Sequence, residues 1–239
     1  MIAVGIVPAR GGSKGLPGKH VLPVRGKPVL AYTLEAARAA RSLARVIVST
    51  DDAGIAAVAT AFGAEVIDRP AALATDTASF DDALRHAVRV LAERDGFHPD
   101  VVVAMQGNVP IRAAGTIDRA LEKLEATGAD TVATGYEVSQ RPEWMKRLGE
   151  GDRLTPFLPP SDAYRRQDLP RLFLLDGAVI AVRTATLLAT ESDRRAHAYM
   201  GPDVRLLEQN PIYAAELDEP SDLRRIESLL EAVERLRKA

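Results

Sequence analysis

The segment best suited to chemistry is a glycine-rich loop at positions 8–19, directly after the first predicted strand. It carries three cations within ten residues, although the formal net charge of the chain is −2. Glycines let a backbone approach a ligand closely and point successive N–H groups into one concavity, which is typical of a phosphate site. A triphosphate needs several positive charges for binding and for phosphoryl transfer. The residues are Arg10, Lys14 and Lys19, the hydroxyl of Ser13, and the glycines Gly11, Gly12, Gly15 and Gly18.

This loop matches neither of two common nucleotide-binding patterns. It contains no Gly-Lys-Ser/Thr at the Walker A spacing and no G-x-G-x-x-G dinucleotide fingerprint. Two interpretations of the residue types therefore stay open, a phosphate-binding loop and a flexible surface loop with solvated charges. The position of the loop directly after a buried strand favours the phosphate site.

The elements that must position this loop alternate between strand and helix through the first half of the chain. Repeated units of this kind with short connections imply a parallel sheet covered by helices on both faces. Ligands of such sheets bind beyond the carboxyl ends of the strands, so the loops after Val7, Ser49, Ile67 and Met105 are expected to form the site. The predicted strands span 2–7, 45–49, 64–67, 101–105 and 130–136, and the predicted helices span 29–41, 51–62, 80–93 and 113–126.

The alternating pattern breaks between about 138 and 171, where prolines and arginines accumulate. The apolar content of this stretch is too high for a disordered linker, so we predict an ordered insert. Regular structure is expected to resume over 172–182, and an amphipathic helix is expected over about 220–237. The chain therefore reads as a single domain over 1–239 with one insert at 138–171.

Composition excludes several classes of protein. The chain has 239 residues with 46% hydrophobic and 27% charged residues, which is enough for one large globular domain. It has no cysteine, which excludes disulfides, thiolate metal sites and cysteine nucleophiles. The net charge of −2 argues against a general nucleic-acid-binding protein. Because no stretch is long and apolar enough to span a bilayer, we expect a soluble cytoplasmic protein without a membrane partner.

The loop Pro-Ala-Arg-Gly-Gly-Ser-Lys at 8–14, with Pro-Gly-Lys at 17–19, resembles the signature loop of the CMP-N-acetylneuraminate synthetase (acylneuraminate cytidylyltransferase) family. The resemblance continues in the family's order through 49–52, 69–79, 165–170, 176–178 and 217–218. It implies an α/β fold, a Rossmann-like three-layer α/β/α nucleotidyltransferase with a mostly parallel sheet and a small dimerisation insert. It also implies CTP and an acidic sugar as substrates, Mg²⁺ as cofactor and a homodimer as the assembly.

The resemblance assigns the nucleotide to the glycine-rich loop and to the segment 69–79. Arg10 and Lys19 would be the catalytic cations that stabilise charge on the phosphoryl oxygens. His20 stands where the family has Asn and can still donate one hydrogen bond, but it could equally be a surface histidine without a role. Likewise, Thr-Asp-Thr at 75–77 could be a helix-start signal without a ligand. The nucleotide-binding residues implied are Ala9, Gly11, Gly12, Ser13, Lys14, His20, Arg69 and Ser79.

The segments that the resemblance assigns to the sugar are similar to those of two related families. Gln-Gly-Asn-Val-Pro at 106–110 is closer to the Gln-Gly-Asp-x-Pro of CMP-Kdo synthetases than to the Gln-Pro-Thr-Ser-Pro of sialic acid synthetases. The alternative is a turn that merely caps the next helix. In the insert, arginine suits bidentate binding of a sugar carboxylate, although the pair could also be simply solvated. The sugar-binding residues implied are Gln106, Asn108, Arg165, Arg166 and Gln167.

A metal site is implied by Glu216 and Asp218, which resemble the family's Asp-x-Asp motif with Glu in the first place. Alternate positions on a strand put both carboxylates on one face, where Mg²⁺ can collect them together with triphosphate oxygens. For Asp218 the alternative is a cap of the last helix, and this is the preferred interpretation of Glu219 and Asp222. Gly177, in an Asp-Gly-Ala segment where the family has Asn-Gly-Ala, is expected to permit a tight turn near the sugar.

We therefore predict an enzyme that transfers CMP from CTP to an acidic nonulosonic sugar, a sialic acid or a relative, with release of pyrophosphate. The anomeric 2-hydroxyl of the sugar would attack the α-phosphorus, and no residue stands out as the general base. One alternative is a CMP-Kdo-type synthetase for another ulosonic acid, favoured by the Gln-Gly-Asn segment. The other is a catalytically impaired nucleotide-binding homologue, suggested by His20, Asn108 and Glu216.

Overall fold

The computed structural model of the protein describes residues 1–159 and 165–238. The strands are β1 Ala3–Pro8, β2 Pro23–Val24, β3 Lys27–Pro28, β4 Leu43–Thr50, β5 Glu65–Asp68, β6 Val101–Ala104, β7 Thr131–Glu137, β8 Lys146–Leu148, β9 Leu154–Pro156, β10 Phe173–Arg183 and β11 Val204–Glu208. The α-helices are α1 Val29–Ala39, α2 Ala53–Ala61, α3 Phe80–Asp95, α4 Thr116–Thr127, α5 Thr184–Ala189 and α6 Asp222–Lys238.

Seven of these strands form one sheet in the order β11-β7-β10-β6-β1-β4-β5. The pairs of β1 with β4 and β6, of β4 with β5 and of β7 with β11 are parallel. Only β10 runs antiparallel to both of its neighbours, β6 and β7. The mostly parallel sheet predicted from the alternating pattern is confirmed.

Helices cover both faces of this sheet, because side chains of a strand alternate between its two faces. Ala3 and Val7 of β1 belong to one apolar cluster, which includes residues of α1, α2 and α4. Val4 and Ile6 of the same strand belong to a second cluster, with residues of α3 and α5. The predicted three-layer α/β/α arrangement is therefore confirmed.

The C-terminal helix α6 has a smaller apolar cluster of its own. Ile226, Leu230 and Val233 on one side of α6 pack with Val29, at the start of α1, and with Leu217. This packing fixes the segment that precedes α6, and with it the predicted metal-binding positions, against the body of the protein.

The structure differs from the predicted elements at the start of one helix and at several short elements, which include the strands β2, β3, β8 and β9. Helix α4 begins at 116 rather than 113, because Gly115 precedes it with a left-handed backbone, φ +70°. Helix α5 and strand β11 were not predicted, since each is too short to show a clear period in the sequence. Within the described residues, no helix is long and apolar enough to cross a membrane.

The predicted insert is rooted where β7 and β10 leave the sheet. Glu137 pairs with Phe173, and the N–H of Val138 donates to the carbonyl of Leu172 at 3.0 Å. Between these ends, β8 and β9 form a small antiparallel hairpin in which Leu148 lies opposite Leu154. The residues 160–164 of the insert lie outside the described ranges.

Candidate active site

A cavity of about 280 Å³ opens at the carboxyl ends of β1, β5 and β6. This is the edge of the sheet at which the sequence predicted a ligand site. Side chains far apart in the sequence meet around it, and most of them were predicted as site residues. Those residues are Arg10, Lys19, His20, Arg69, Ser79, Gln106, Asn108, Glu216 and Asp218.

Two of the three cations of the glycine-rich loop contact the segment before α3. The guanidinium of Arg10 donates to the carbonyl of Thr75 at 2.5 Å and pairs with the Asp76 carboxylate at 3.1 Å. The ammonium of Lys14 pairs with the other oxygen of Asp76 at 2.5 Å. The two segments expected to contact the nucleotide therefore contact each other across the cavity, and Asp76 is an acidic member of the site that the sequence did not single out.

Backbone hydrogen bonds fix the first part of the loop. The N–H of Ala9 donates to the carbonyl of Ser49 at 3.0 Å, and the N–H of Gly11 donates to the Asp51 carboxylate at 3.0 Å. These two amides therefore hold the loop on β4, whereas a side chain added at Gly12 would meet no atom within 4 Å. Of the predicted phosphate-binding backbone positions, Gly12 is the one with open space beside it.

Asp218 faces the glycine-rich loop, as a shared nucleotide and metal site requires. Its carboxylate accepts from the ammonium of Lys19 at 2.7 Å and from the side-chain amide of Asn108 at 3.0 Å. A Cβ added to Gly15 would lie 2.7 Å from the backbone oxygen of Asp218, so only glycine permits this close approach of the loop. The glycine-rich loop and the side-chain amide of Asn108 therefore both contact Asp218.

The predicted alternation of side chains holds at 215–218, but this stretch forms no strand. Ala215 and Leu217 are buried, and Glu216 and Asp218 line the cavity. This stretch is joined to the loop that contains Asn108, because the N–H of Leu217 donates to the carbonyl of Asn108 at 2.9 Å. Partial removal from water and the neighbouring Asp218 carboxylate raise the pKa of Glu216 to about 7.

These two carboxylates have the oxygen-donor chemistry that Mg²⁺ requires. Among the described residues, no group of three or more His, Asp or Glu side chains is arranged to hold a metal ion. Mg²⁺ in nucleotide enzymes usually takes one or two carboxylates and completes its coordination with substrate phosphates and water. Glu216 and Asp218, on the rim of a cavity that also holds cations for phosphates, fit that requirement.

The acidic residues after Asp218 have a structural role. The carboxylate of Asp222, the first residue of α6, accepts from the backbone N–H groups of Asp218 and Glu219 at 2.9 and 2.8 Å. This supports the structural interpretation of Asp222 given above, and it sets the course of the chain that delivers Asp218 to the cavity.

His20 is buried, with 5% of its surface exposed, so its interpretation as a surface histidine is wrong. It packs against Gly107, where an added Cβ would lie 3.0 Å from the His20 Nδ1. Burial, and next the charge of Lys19, lower the pKa of His20 to about 4. The imidazole is therefore neutral at physiological pH and supports the loop of Gln106 and Asn108.

A pH dependence of stability follows from this burial. The pKa of His20 is about 4 in the folded protein and about 6.5 in the unfolded chain. The contribution of the neutral imidazole to the free energy of unfolding is therefore complete above pH 6.5 and is lost as the pH falls toward 4. At pH 5 the loss is about 2 kcal/mol. Urea unfolding at pH 8 and pH 5 should show this loss in the wild type but not in His20→Asn. His98→Asn, which changes an exposed histidine, should behave as the wild type; equal losses in all three proteins would contradict the assignment.

Arg69 and Ser79 border the cavity from the second predicted stretch. Arg69 is buried and donates to the hydroxyl of Ser49 at 3.2 Å and to its carbonyl. Burial lowers the pKa of Arg69 to about 10, so the guanidinium remains charged at neutral pH. The hydroxyl of Ser79 accepts from the N–H of Asp82 at 3.1 Å and caps α3. Arg69 is thus a fixed cation beside the cavity, whereas Ser79 also has a structural role.

Arg112 is a residue that sequence reasoning missed. It is buried, and its guanidinium donates to the carbonyl oxygens of Gln106 and Ala178 at 2.9 Å each and to the hydroxyl of Thr33 at 2.8 Å. It thereby joins the loop after β6 to β10 and α1. Arg112 follows the Gln-Gly-Asn-Val-Pro segment at 106–110 by two positions, but a charged side chain gives no sequence signal of full burial.

The tight turn expected at Gly177 is instead an irregularity inside strand β10, where the register against β7 shifts between Leu175 and Ile180. Gly177 has φ +63°, and a Cβ there would lie 2.4 Å from the side-chain carbon of Gln106. Asp176 is buried and accepts from the hydroxyl of Thr134 at 2.5 Å and from the N–H of Ala178 at 3.0 Å. The absence of a side chain at Gly177 therefore leaves room for the Gln106 side chain, which lines the cavity.

The predicted sugar-binding residues of the insert lie away from this cavity. Arg165, Arg166 and Gln167 are exposed, and Arg165 pairs with Asp168 at 2.9 Å. None of the three is among the residues that line the cavity. Their proposed contact with a sugar carboxylate stays a prediction.

Comparison with known proteins places this geometry in context. The chain is 30% identical over 198 residues to an N-acylneuraminate cytidylyltransferase of Streptococcus agalactiae. The aligned region covers 81% of this chain and 47% of that protein. The chain thus spans about half the length of this relative. It is also 30% identical to a CMP-N,N'-diacetyllegionaminic acid synthase of Legionella pneumophila, over 97% of both chains.

The fold and the family follow from two further findings. A solved CMP:2-keto-3-deoxy-manno-octonic acid synthetase in complex with CTP superposes with a TM-score of 0.74 at 21% identity, over 97% of this chain and 99% of that one. This likeness supports the nucleotidyltransferase fold. Residues 4–150, which include the glycine-rich loop and the strands that support the cavity, match the family described as Cytidylyltransferase. The chain belongs to the cytidylyltransferase family.

Proposed function

We propose that the protein transfers CMP from CTP to the anomeric hydroxyl of an acidic nonulosonic sugar and releases pyrophosphate. The observation that carries this proposal is the meeting of the glycine-rich loop with Asp218, through the 2.7 Å pair of Lys19 and Asp218. Cations for phosphates and a carboxylate for a metal then share one cavity. The relatives named above, which are cytidylyltransferases and CMP-sugar synthases, support the same reaction.

In the proposed reaction the cations of the cavity act on the triphosphate. Arg10, Lys19 and Arg69 offset the charge that develops on the phosphoryl oxygens, within a cavity where the surrounding protein lowers the effective dielectric. Bound Mg²⁺, held by Glu216 and Asp218, would supply Lewis-acid polarisation of the phosphates. The Asn108 amide and Lys19 hold the Asp218 carboxylate in place.

The sugar is proposed to lie beside Gln106. This side chain borders the nucleotide cavity and also a second cavity of about 520 Å³. Phe80, Phe173 and Tyr199 line that second cavity, which supports an acceptor with apolar as well as hydroxyl groups. The position of Gln106 between the two would bring an acceptor hydroxyl near the nucleotide.

A CMP-Kdo-type activity is the second candidate. It is favoured by Asn108, which stands where CMP-Kdo synthetases have Asp and which here holds Asp218 at 3.0 Å. Both candidates use the same nucleotide chemistry and differ in the acceptor.

Release of pyrophosphate tests the proposal. The protein would be incubated with each of the four nucleoside triphosphates, Mg²⁺, and N-acetylneuraminic acid, N,N'-diacetyllegionaminic acid or Kdo. We expect release with CTP only, and only when an acidic nonulosonic sugar is present. Turnover with Kdo alone would favour the second candidate. Binding of CTP without turnover on any acid would instead identify a nucleotide-binding homologue that is not an enzyme.

The protein is further proposed to act as a homodimer in the cytoplasm. The use of CTP and the lack of cysteine in the sequence fit that compartment.

The hairpin of β8 and β9 leaves Leu148 and Leu154 exposed to 71% and 63%, and Trp144 and Phe157 of the same insert are also exposed. Apolar side chains grouped on one surface are typical of an interface.

Substitution of this surface tests the dimer. We expect the wild type to sediment as a dimer and Leu148→Asp/Leu154→Asp to sediment as a monomer, because two charges would then be desolvated at the contact. Leu236→Asp, which changes an exposed leucine on α6, should leave the dimer intact. A monomeric wild type at micromolar concentration would contradict the proposal.

A further inference from the structure

Asp76 pairs with two cations of the glycine-rich loop, Arg10 and Lys14, both of which the resemblance assigns to the nucleotide. Its two carboxylate oxygens pair separately, one with Arg10 at 3.1 Å and the other with Lys14 at 2.5 Å. Asp76 lies in a short turn, closed by a hydrogen bond from the Ala78 N–H to the Thr75 carbonyl at 3.2 Å, just before the cap of α3. This turn lines the cavity through Thr75, Asp76 and Ala78.

The arrangement leaves the pairs open to exchange. The side chains of Asp76 and Lys14 are 41% and 80% exposed, so water and other anions reach both of them. Exposed ion pairs contribute little free energy, because each charge is well solvated when they separate. A triphosphate has more charge and more acceptor oxygens than one carboxylate and can therefore displace it.

Arg10 keeps its place without the carboxylate of Asp76. Its guanidinium also donates to the backbone carbonyl of Thr75 at 2.5 Å, a contact that no side-chain substitution at 76 removes. The main effect of the Asp76 charge is therefore to occupy the cations rather than to position them. When phosphates are bound, the same charge would also repel them.

We propose that Asp76 competes with the phosphates of CTP and pyrophosphate for Arg10 and Lys14, and so limits the affinity of the cavity for both. This inference rests on the proposed function. During turnover, the Asp76 carboxylate would pair again with Arg10 and Lys14 as pyrophosphate leaves. This competition would assist the release of pyrophosphate.

Calorimetric titration of the full chain with CTP, pyrophosphate or cytidine, in the presence of Mg²⁺, tests the proposal. Asp76→Asn should bind CTP and pyrophosphate about three- to tenfold more tightly than the wild type, the range expected for release from two exposed ion pairs. Cytidine has no phosphate, so its affinity should not change. Asp76→Glu restores the charge and should stay within about twofold of the wild type.

A matched control separates this local effect from a change in net charge. Glu125→Gln removes one negative charge from an exposed position on α4, outside the cavity, and should leave CTP affinity unchanged. Unchanged or weaker binding of CTP by Asp76→Asn would overturn the proposal while leaving the proposed function intact. If the wild type bound neither CTP nor pyrophosphate, the inference and the proposed function would both fall.

Discussion

Replacement of Asp218 by Asn is expected to lower kcat/KM for CTP by about 10³, since loss of a charged metal ligand removes several kcal/mol of transition-state stabilisation. Asn keeps the size of the side chain but loses the charge that pairs with Lys19 at 2.7 Å and receives Asn108 at 3.0 Å. Initial rates of pyrophosphate release, measured against CTP and Mg²⁺ concentration, would show the loss.

The control for this variant is an exposed carboxylate on α4. Glu122→Gln changes a side chain that lines neither the nucleotide cavity nor the space beside the glycine-rich loop, and its activity should stay within about threefold of the wild type. The unfolding free energy of Asp218→Asn should change by less than about 1 kcal/mol, because the pair with Lys19 is partly exposed. An active Asp218→Asn variant would remove Asp218 from the metal site and would favour its interpretation as part of the start of α6.

The largest effect on stability is expected from Arg112→Met. The guanidinium is buried and donates to carbonyls of the Gln106 loop and of β10 and to the hydroxyl of Thr33. Met fills part of the volume but removes the guanidinium donor from these buried acceptors, so the free energy of unfolding should fall by about 3–5 kcal/mol. Urea unfolding followed by circular dichroism measures it.

Arg119→Met is the matched control for this substitution. Arg119 also donates to a backbone carbonyl and to a threonine hydroxyl, of Ala114 and Thr116, but it lies at the surface of α4. Its replacement should cost less than about 1 kcal/mol. Equal losses for the two variants would mean that the Arg112 contacts contribute no more than a surface arginine does.

Much of the fold followed from local signals. The period of apolar residues predicted the main strands and helices, and Asp52 caps α2 by accepting from the Ile55 N–H at 2.8 Å, as its residue type indicates. The short elements α5 and β11 were missed because each is too short to show a clear period of apolar residues. The antiparallel direction of β10 was not predicted either, since the direction of a strand depends on the insert before it.

The candidate site could be predicted where its residues lie in one segment, as in the glycine-rich loop. It could not be predicted where burial or distant pairing decides the role of a side chain. Histidine is a residue type that is common at protein surfaces, but His20 is buried. Asp76 lies in a sequence typical of a helix start, but its carboxylate pairs with Arg10 and Lys14. Both depend on contacts with segments that are remote in the sequence.

The narrow root of the insert has a consequence for protein engineering. Because Val138 and Leu172 are hydrogen-bonded neighbours, the two ends of the insert are already joined before it begins. The entropy of closing a loop grows only with the logarithm of its length, so a shorter or longer segment grafted between these positions would cost the fold little. The sheet edge that holds the glycine-rich loop lies outside the graft. The proposed dimer surface of the insert is thus open to exchange between relatives without a change to the nucleotide cavity.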